Sequence, residues 1–296
     1  MLRRCLQIVR RAALAVALAG AGAAAAAPGE FARVDTDAEG RPRALQMAIA
    51  SYAPVGRSAG GRRVDLVSAV HVADPSFYAA LNERFRDYDA LLYELVAPEG
   101  MVITPETRNT GFVSGAQVFL TRALGLSFQL DEVDYTPANF VHADLSQDEL
   151  SASMAERNES LYTYFWRIVF ATIREYARDP LGLRDWQAVI SMVGSDGDVS
   201  FKTLLAYEIA NARSIEEVFG EDADSAIIGA RNARAVEVLA ETLEGGAGSV
   251  GIFYGVGHMP DLEERLLAMG LERVGTTWID AWQLGTTPAA RDKAPR

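Results

Sequence analysis

Continuous apolar runs alternate along this chain with stretches whose apolar residues recur every three or four positions. The alternation predicts an α/β domain. Leu45 to Tyr52 and Val64 to Val70 read as strands joined through a turn at Gly60-Gly61, a hairpin-like antiparallel pair at a sheet edge. After His71 a helix begins: Asp74 stands where a cap belongs, Pro75 suits the first helical position, and Phe77, Leu81 and Phe85 recur at helical spacing up to Tyr88. Ala90 to Val96 is strand again, so residues 64 to 96 make a strand-helix-strand unit of roughly 33 residues, the length a right-handed crossover needs.

From Pro98 to Leu243 the pattern is mainly helical, with one strand expected over Phe128 to Val133. Helices are expected over Gly115–Leu124, Gln147–Asn158, Ser160–Arg178, Leu183–Val193, Val199–Ala212 and Ser225–Leu243, and the aromatic stretch Leu161 to Trp166 reads as a packed helix face or lid. The sheet resumes at Ser249–Tyr254, a helix follows over Asp261–Met269 and ends at Gly270, and a last strand covers Val274–Gln283. The expectation is a mixed sheet flanked by helices over residues 44–284, with a helical insertion at about 98–243 between two halves. Residues 28–43 and 285–296 lack periodicity and read as a mobile lead-in and a disordered tail.

Composition narrows the setting. Arg3, Arg4, Arg10 and Arg11 precede the apolar stretch Ala12 to Ala19 and an alanine tract with several A-x-A points, so residues 1–27 read as a secretory signal peptide. The apolar stretch falls short of the about 20 residues that span a bilayer, and no later segment is longer, so no membrane span is expected after cleavage. The expected location is exported, periplasmic or extracellular. Cys5, the chain's one cysteine, falls within the signal, which removes disulfides, thiolate nucleophiles and cysteine zinc sites from the mature protein. The net charge of −12 becomes −16 once the four signal arginines are gone. Such a chain repels nucleic acid and attracts divalent cations. With lysine present only at positions 202 and 293, Schiff-base chemistry is disfavoured.

Candidate chemistry then concentrates at strand ends. Two of the three histidines, His71 and His258, terminate apolar runs, and Ala90-Leu91-Leu92-Tyr93 runs into Glu94. Ligand-binding groups of open parallel sheets collect beyond the carboxyl ends of the strands, and two imidazoles with a carboxylate there point to a metal. Zn, Mn or Co would accept His71, His258 and Glu94 while keeping a position open, and Glu94 would be the general base if it were not a ligand. His142, in Phe140-Val141-His142-Ala143-Asp144, is a further catalytic candidate, with Asp144 read as ordering that loop. Arg231 is expected to stabilise an oxyanion or to hold a substrate carboxylate. The chain contains no H-E-x-x-H, no G-x-S-x-G and no Walker A sequence, and Gly255-Val256-Gly257 lacks the third glycine of a dinucleotide fingerprint, where Pro260 stands.

These residues resemble the TraB/PrgY/GumN superfamily, which includes the Tiki metalloproteases. Its pattern pairs two G-x-x-H elements with an acidic strand end. Here the second element is intact as Gly255-Val256-Gly257-His258, the first reads Ser68-Ala69-Val70-His71 with serine at the glycine position, and Tyr93-Glu94-Leu95-Val96 is similar to the acidic strand end. Arg231-Asn232 resembles the Arg-Asn pair of the group. The resemblance spans Leu66 to Gly270 and implies an EreA/ChaN-like fold and metal-dependent peptide-bond cleavage. The leading expectation is therefore an exported metal-dependent hydrolase acting on a peptide or small-molecule substrate. The alternatives are a haem or ligand binder using both imidazoles and Tyr254, as the likeness to haem-binding ChaN implies, and a non-catalytic signalling protein.

Overall fold

A computed structural model describes residues 30–56, 61–96, 126–157, 201–211 and 225–284. The signal segment, the expected helices at 115–124, 160–178 and 183–193, the aromatic stretch at 161–166 and the tail at 285–296 lie outside the described residues.

Seven strands form one mixed sheet. They are β1 (Ala32–Thr36), β2 (Pro42–Pro54), β3 (Arg63–Ala69), β5 (Ala90–Tyr93), β7 (Phe140–His142), β8 (Ser249–Gly255) and β9 (Leu271–Gln283). The short strands β4 (Val72–Ala73) and β6 (Ser127–Phe128) pair separately. The order β1-β2-β3-β8-β5-β7, with β9 also on β2, places β3, β8, β5 and β7 in parallel, while β1, β3 and β9 run antiparallel to β2. The helices are α1 (Pro75–Phe85), α2 (Gln129–Glu132), α3 (Gln147–Glu156), α4 (Phe201–Ala210), α5 (Arg231–Glu244) and α6 (Met259–Ala268). On one face Phe77, Tyr78, Leu81 and Phe85 of α1 and Ala206 of α4 pack against Val67, Leu91 and Phe253. On the other, Ala235, Val238, Leu239 and Leu243 of α5 and Leu262 and Leu266 of α6 cover Leu66, Leu92, Ile252 and Tyr254. Apolar residues on both sides of the central strands are what a helix-covered parallel sheet requires.

Several expectations are corrected. The lead-in at 28–43 is ordered in part: Ala32–Thr36 pairs with β2, and Phe31 is buried against the second core. The β2–β3 pair is antiparallel as expected but is not an edge, because β9 and β8 flank it. β3 and β5 are joined by α1 yet are not neighbours, since β8 lies between them. The reason is burial: residues 250–254 are enclosed on both faces and satisfy their backbone only with a strand on each side. The strand expected at 128–133 is two residues of β6 followed by α2, while Phe140–His142, expected as loop, is strand. Asp74 occupies the cap position of α1 without capping it, because its carboxylate accepts from the Gln283 backbone N–H at 2.6 Å and faces Lys202 at 3.4 Å.

Candidate active site

Because β3, β8, β5 and β7 are parallel, their carboxyl ends share one edge of the sheet. Each strand delivers a polar residue there: His71 past β3, His258 past β8, Glu94 past β5 and Asp144 past β7. Arg231 and Asn232 reach the same edge from the first turn of α5, directly after a π-helical turn at Ala226–Ala230 capped by Ser225, whose Oγ accepts from the Ile228 N–H at 3.1 Å. The apolar stripe Ala235-Val238-Leu239-Leu243 that seats α5 on the sheet fixes where these two side chains point.

Arg231 organises the cluster. Its Nε and Nη2 donate to Asp144 Oδ1 and Oδ2 at 2.9 and 2.6 Å, a bidentate pair, and Nη2 also donates to Glu94 Oε1 at 2.8 Å. Its Nη1 stands 3.4 Å from His258 Nε2. Arg231 and Asp144 side chains are 10% and 0% exposed, so this is a buried ion pair rather than a surface one. Burial opposes the guanidinium's charge, but Asp144 and Glu94 outweigh it and hold its pKa above the ordinary value. With the fork committed to Asp144, Arg231 has no bidentate face left for a substrate carboxylate, which removes one of the two roles expected for it.

Glu94 is held at both oxygens. Oε2 accepts from the Gly255 N–H at 2.7 Å, and Oε1 lies 2.8 Å from Arg231 Nη2 and 3.5 Å from His258 Nε2. Burial alone would raise this carboxyl, yet His258, Arg231 and His71 together bring it well below the usual carboxylate range. Gly255 is part of the geometry: a Cβ there would meet Glu94 Oε2 at 3.3 Å and His258 Cδ2 at 3.9 Å. The glycine in the second G-x-x-H element thus admits the carboxylate to the strand end. His258 is buried, packs edge-on against the Tyr254 ring at 5.1 Å, and places Nδ1 2.7 Å from Asn232 Oδ1.

The other expected residues are placed differently. His71 is exposed on a bend between β3 and β4, its carbonyl accepting from the Gln129 N–H at 2.8 Å. It shares the sheet edge and lowers the Glu94 carboxyl electrostatically, but stands outside the buried cluster. His142 ends β7 and donates from Nε2 to the Leu95 carbonyl at 2.7 Å, with its ring edge-on to Tyr93, so it braces the exit of β5. The Tyr254 hydroxyl is buried and donates to the Ala143 carbonyl at 2.6 Å, which takes it away from any haem iron. Ser68 continues β3 regularly opposite Tyr254 of β8, and its buried hydroxyl has no partner among the described residues. Asp144 is the residue that sequence reasoning undervalued. Its signal was the short apolar run Phe140-Val141, too brief to be read as a strand with a functional end.

A divalent ion can be tested against this geometry. Two ligands about 2.1 Å from a tetrahedral ion stand about 3.4 Å apart. Glu94 Oε1 and His258 Nε2, at 3.5 Å, match one such edge. Among the described residues, His71 included, no three His, Cys, Asp or Glu side chains form a closed ligand group. No protein-family model, curated protein or solved structure matches the chain.

Proposed function

We propose that this chain is an exported metal-dependent hydrolase, a peptidase built on a fold of the EreA/ChaN kind, with a Zn, Mn or Co ion at the carboxyl edge of β8 and β5. The observation that carries the reading is the 3.5 Å edge between Glu94 Oε1 and His258 Nε2, buried beside a guanidinium. His258 and Glu94 would hold the ion and His71 would complete the set from the bend after β3. When bound, such an ion supplies a nucleophile at neutral pH by acidifying water and polarises a scissile carbonyl.

The residues of the chain divide the remaining work. Glu94, with both oxygens engaged and its proton affinity suppressed, suits a ligand and not a proton acceptor. Arg231, aimed by Asp144, keeps Nη1 at the site and offers a fixed positive group to an oxygen on which negative charge develops. Preorganisation of this kind is effective because the pair is already desolvated and needs no rearrangement during the reaction. The acidic mature chain concentrates cations near the site, and no described helix is long and apolar enough to cross a membrane.

Elemental analysis of the full chain purified without chelator, beside a His71→Ala/His258→Ala double variant, tests the reading. Near-stoichiometric metal in the first and none in the second is expected, followed by peptide hydrolysis with that ion. No metal in either protein, even after loading with Mn, Co or Zn, would overturn it.

A further inference from the structure

Asn232 is fully buried and spends its amide on three atoms of two residues, His258 and Asp261. Nδ2 lies 3.1 Å from the carbonyl oxygen of His258 and 2.7 Å from Oδ2 of Asp261, which is itself paired with Arg265 Nε at 2.7 Å. Both neighbours are acceptors, so only the NH2 end of the amide satisfies them, and turning the amide over would set oxygen against oxygen. The orientation of Asn232 is thereby determined. Its Oδ1 faces His258 Nδ1 at 2.7 Å, and an amide oxygen only accepts, so Nδ1 must carry a hydrogen. A neutral imidazole protonated at Nδ1 keeps its lone pair on Nε2, and Nε2 is the atom that faces Glu94 and Arg231.

We infer that Asn232, clamped by Asp261, is a positioning residue that fixes a ring hydrogen of His258 on Nδ1 and presents Nε2 as the donor atom for a divalent cation. Metal-ligating imidazoles are characteristically held through their second nitrogen in this way, and loss of the partner weakens metal binding about 10–100-fold. Here the partner is braced on both sides. One hydrogen bond goes to the backbone of the residue being oriented and the other to the first turn of α6, so ring, amide and helix move as one unit. The consequence for metal affinity rests on the metal reading above, whereas the tautomer does not.

The test uses the full chain with nitrogen-15 in its three histidines. Long-range proton-nitrogen spectra at about pH 8 report each ring's tautomer, with His258 assigned by its loss in His258→Ala. An Nδ1–H pattern for His258 in the unsubstituted protein is expected; an Nε2–H pattern would overturn the inference without any variant at Asn232. For Co²⁺ titrated into the protein, Asn232→Leu is expected to lose 10–100-fold in affinity and to mix the tautomers. Asn232→Asp, which still accepts from Nδ1–H, is expected to restore the single tautomer. A folded Asn232→Leu protein with the tautomer and Co²⁺ affinity unchanged would refute the positioning role. If the unsubstituted protein takes up no Co²⁺, the metal reading fails while the spectrum still decides the tautomer.

Discussion

Replacing Asp144 by alanine isolates the strongest interaction of the site. The substitution removes two hydrogen bonds, at 2.9 and 2.6 Å, from a guanidinium whose side chain is 10% exposed. It leaves Arg231 with Glu94 as its one remaining carboxylate in the cluster. Breaking a buried pair by deleting one partner costs about 3–5 kcal/mol, because the surviving charge stays desolvated. Against a whole-domain stability of about 5–15 kcal/mol this is a large fraction. With a urea dependence of about 3 kcal/mol/M, the midpoint should fall by about 1–1.7 M at unchanged slope. Urea melts of the single variant, of Arg231→Met and of the double variant form a cycle that separates the pair from its surroundings. The double variant should be more stable than Asp144→Ala alone, since it carries no orphaned charge. A fall of less than about 0.3 M for Asp144→Ala, which corresponds to under about 1 kcal/mol and is typical of exposed ion pairs, would refute the reasoning.

Two glycines of β8 should respond in opposite ways. Gly255→Ala brings its Cβ to 3.3 Å from Glu94 Oε2, so metal uptake should fall while the melt shifts by less than about 1 kcal/mol; Gly251→Ala drives its Cβ to 2.7 Å from Leu91 and Tyr88 and should cost about 1–3 kcal/mol. Equal melts for the two variants would contradict this. The lowered Glu94 carboxyl also sets a pH dependence. Because the unfolded chain binds this proton more tightly than the folded one, the contribution is fully present above the unfolded value of about 4.3 and is lost as pH falls through the folded value. Glu94→Gln should therefore flatten the stability profile below about pH 4.5, measured by urea melts at several pH values; an unchanged acid slope would show that other carboxylates carry it.

Local signals in the sequence were enough for the elements flanking the site. The buried runs at 64–70, 90–96 and 249–254 are strands within three residues of expectation, and the helix after Pro75 and the helix after His258 both start where proline suits the first turn. The same signals located His258 and Glu94, since each ends an apolar run. They could not reveal that β8 inserts between β3 and β5, because a strand's neighbours depend on which buried edges remain to be satisfied across the whole sheet.

That insertion decides the site. It sets His258 beside Glu94 and leaves His71 exposed on its bend, although all three were read as strand-end residues. The same limit applies to Asp144 and Asn232. As residues in a sequence they are an acid in a short loop and an amide on a helix, and apart from the resemblance that singles out Arg231-Asn232 nothing local distinguishes them from surface polar groups. Their roles arise from burial: only when α5 is pressed onto the sheet do Arg231 and Asn232 lose water, and a desolvated guanidinium and amide must then find partners at fixed distances. Residue types and the strands leading to His71, Glu94 and His258 were thus determined by the sequence alone. Tertiary structure decided which of them meet, because pairing across the sheet and the cost of unpaired buried polar groups are properties of the folded chain as a whole.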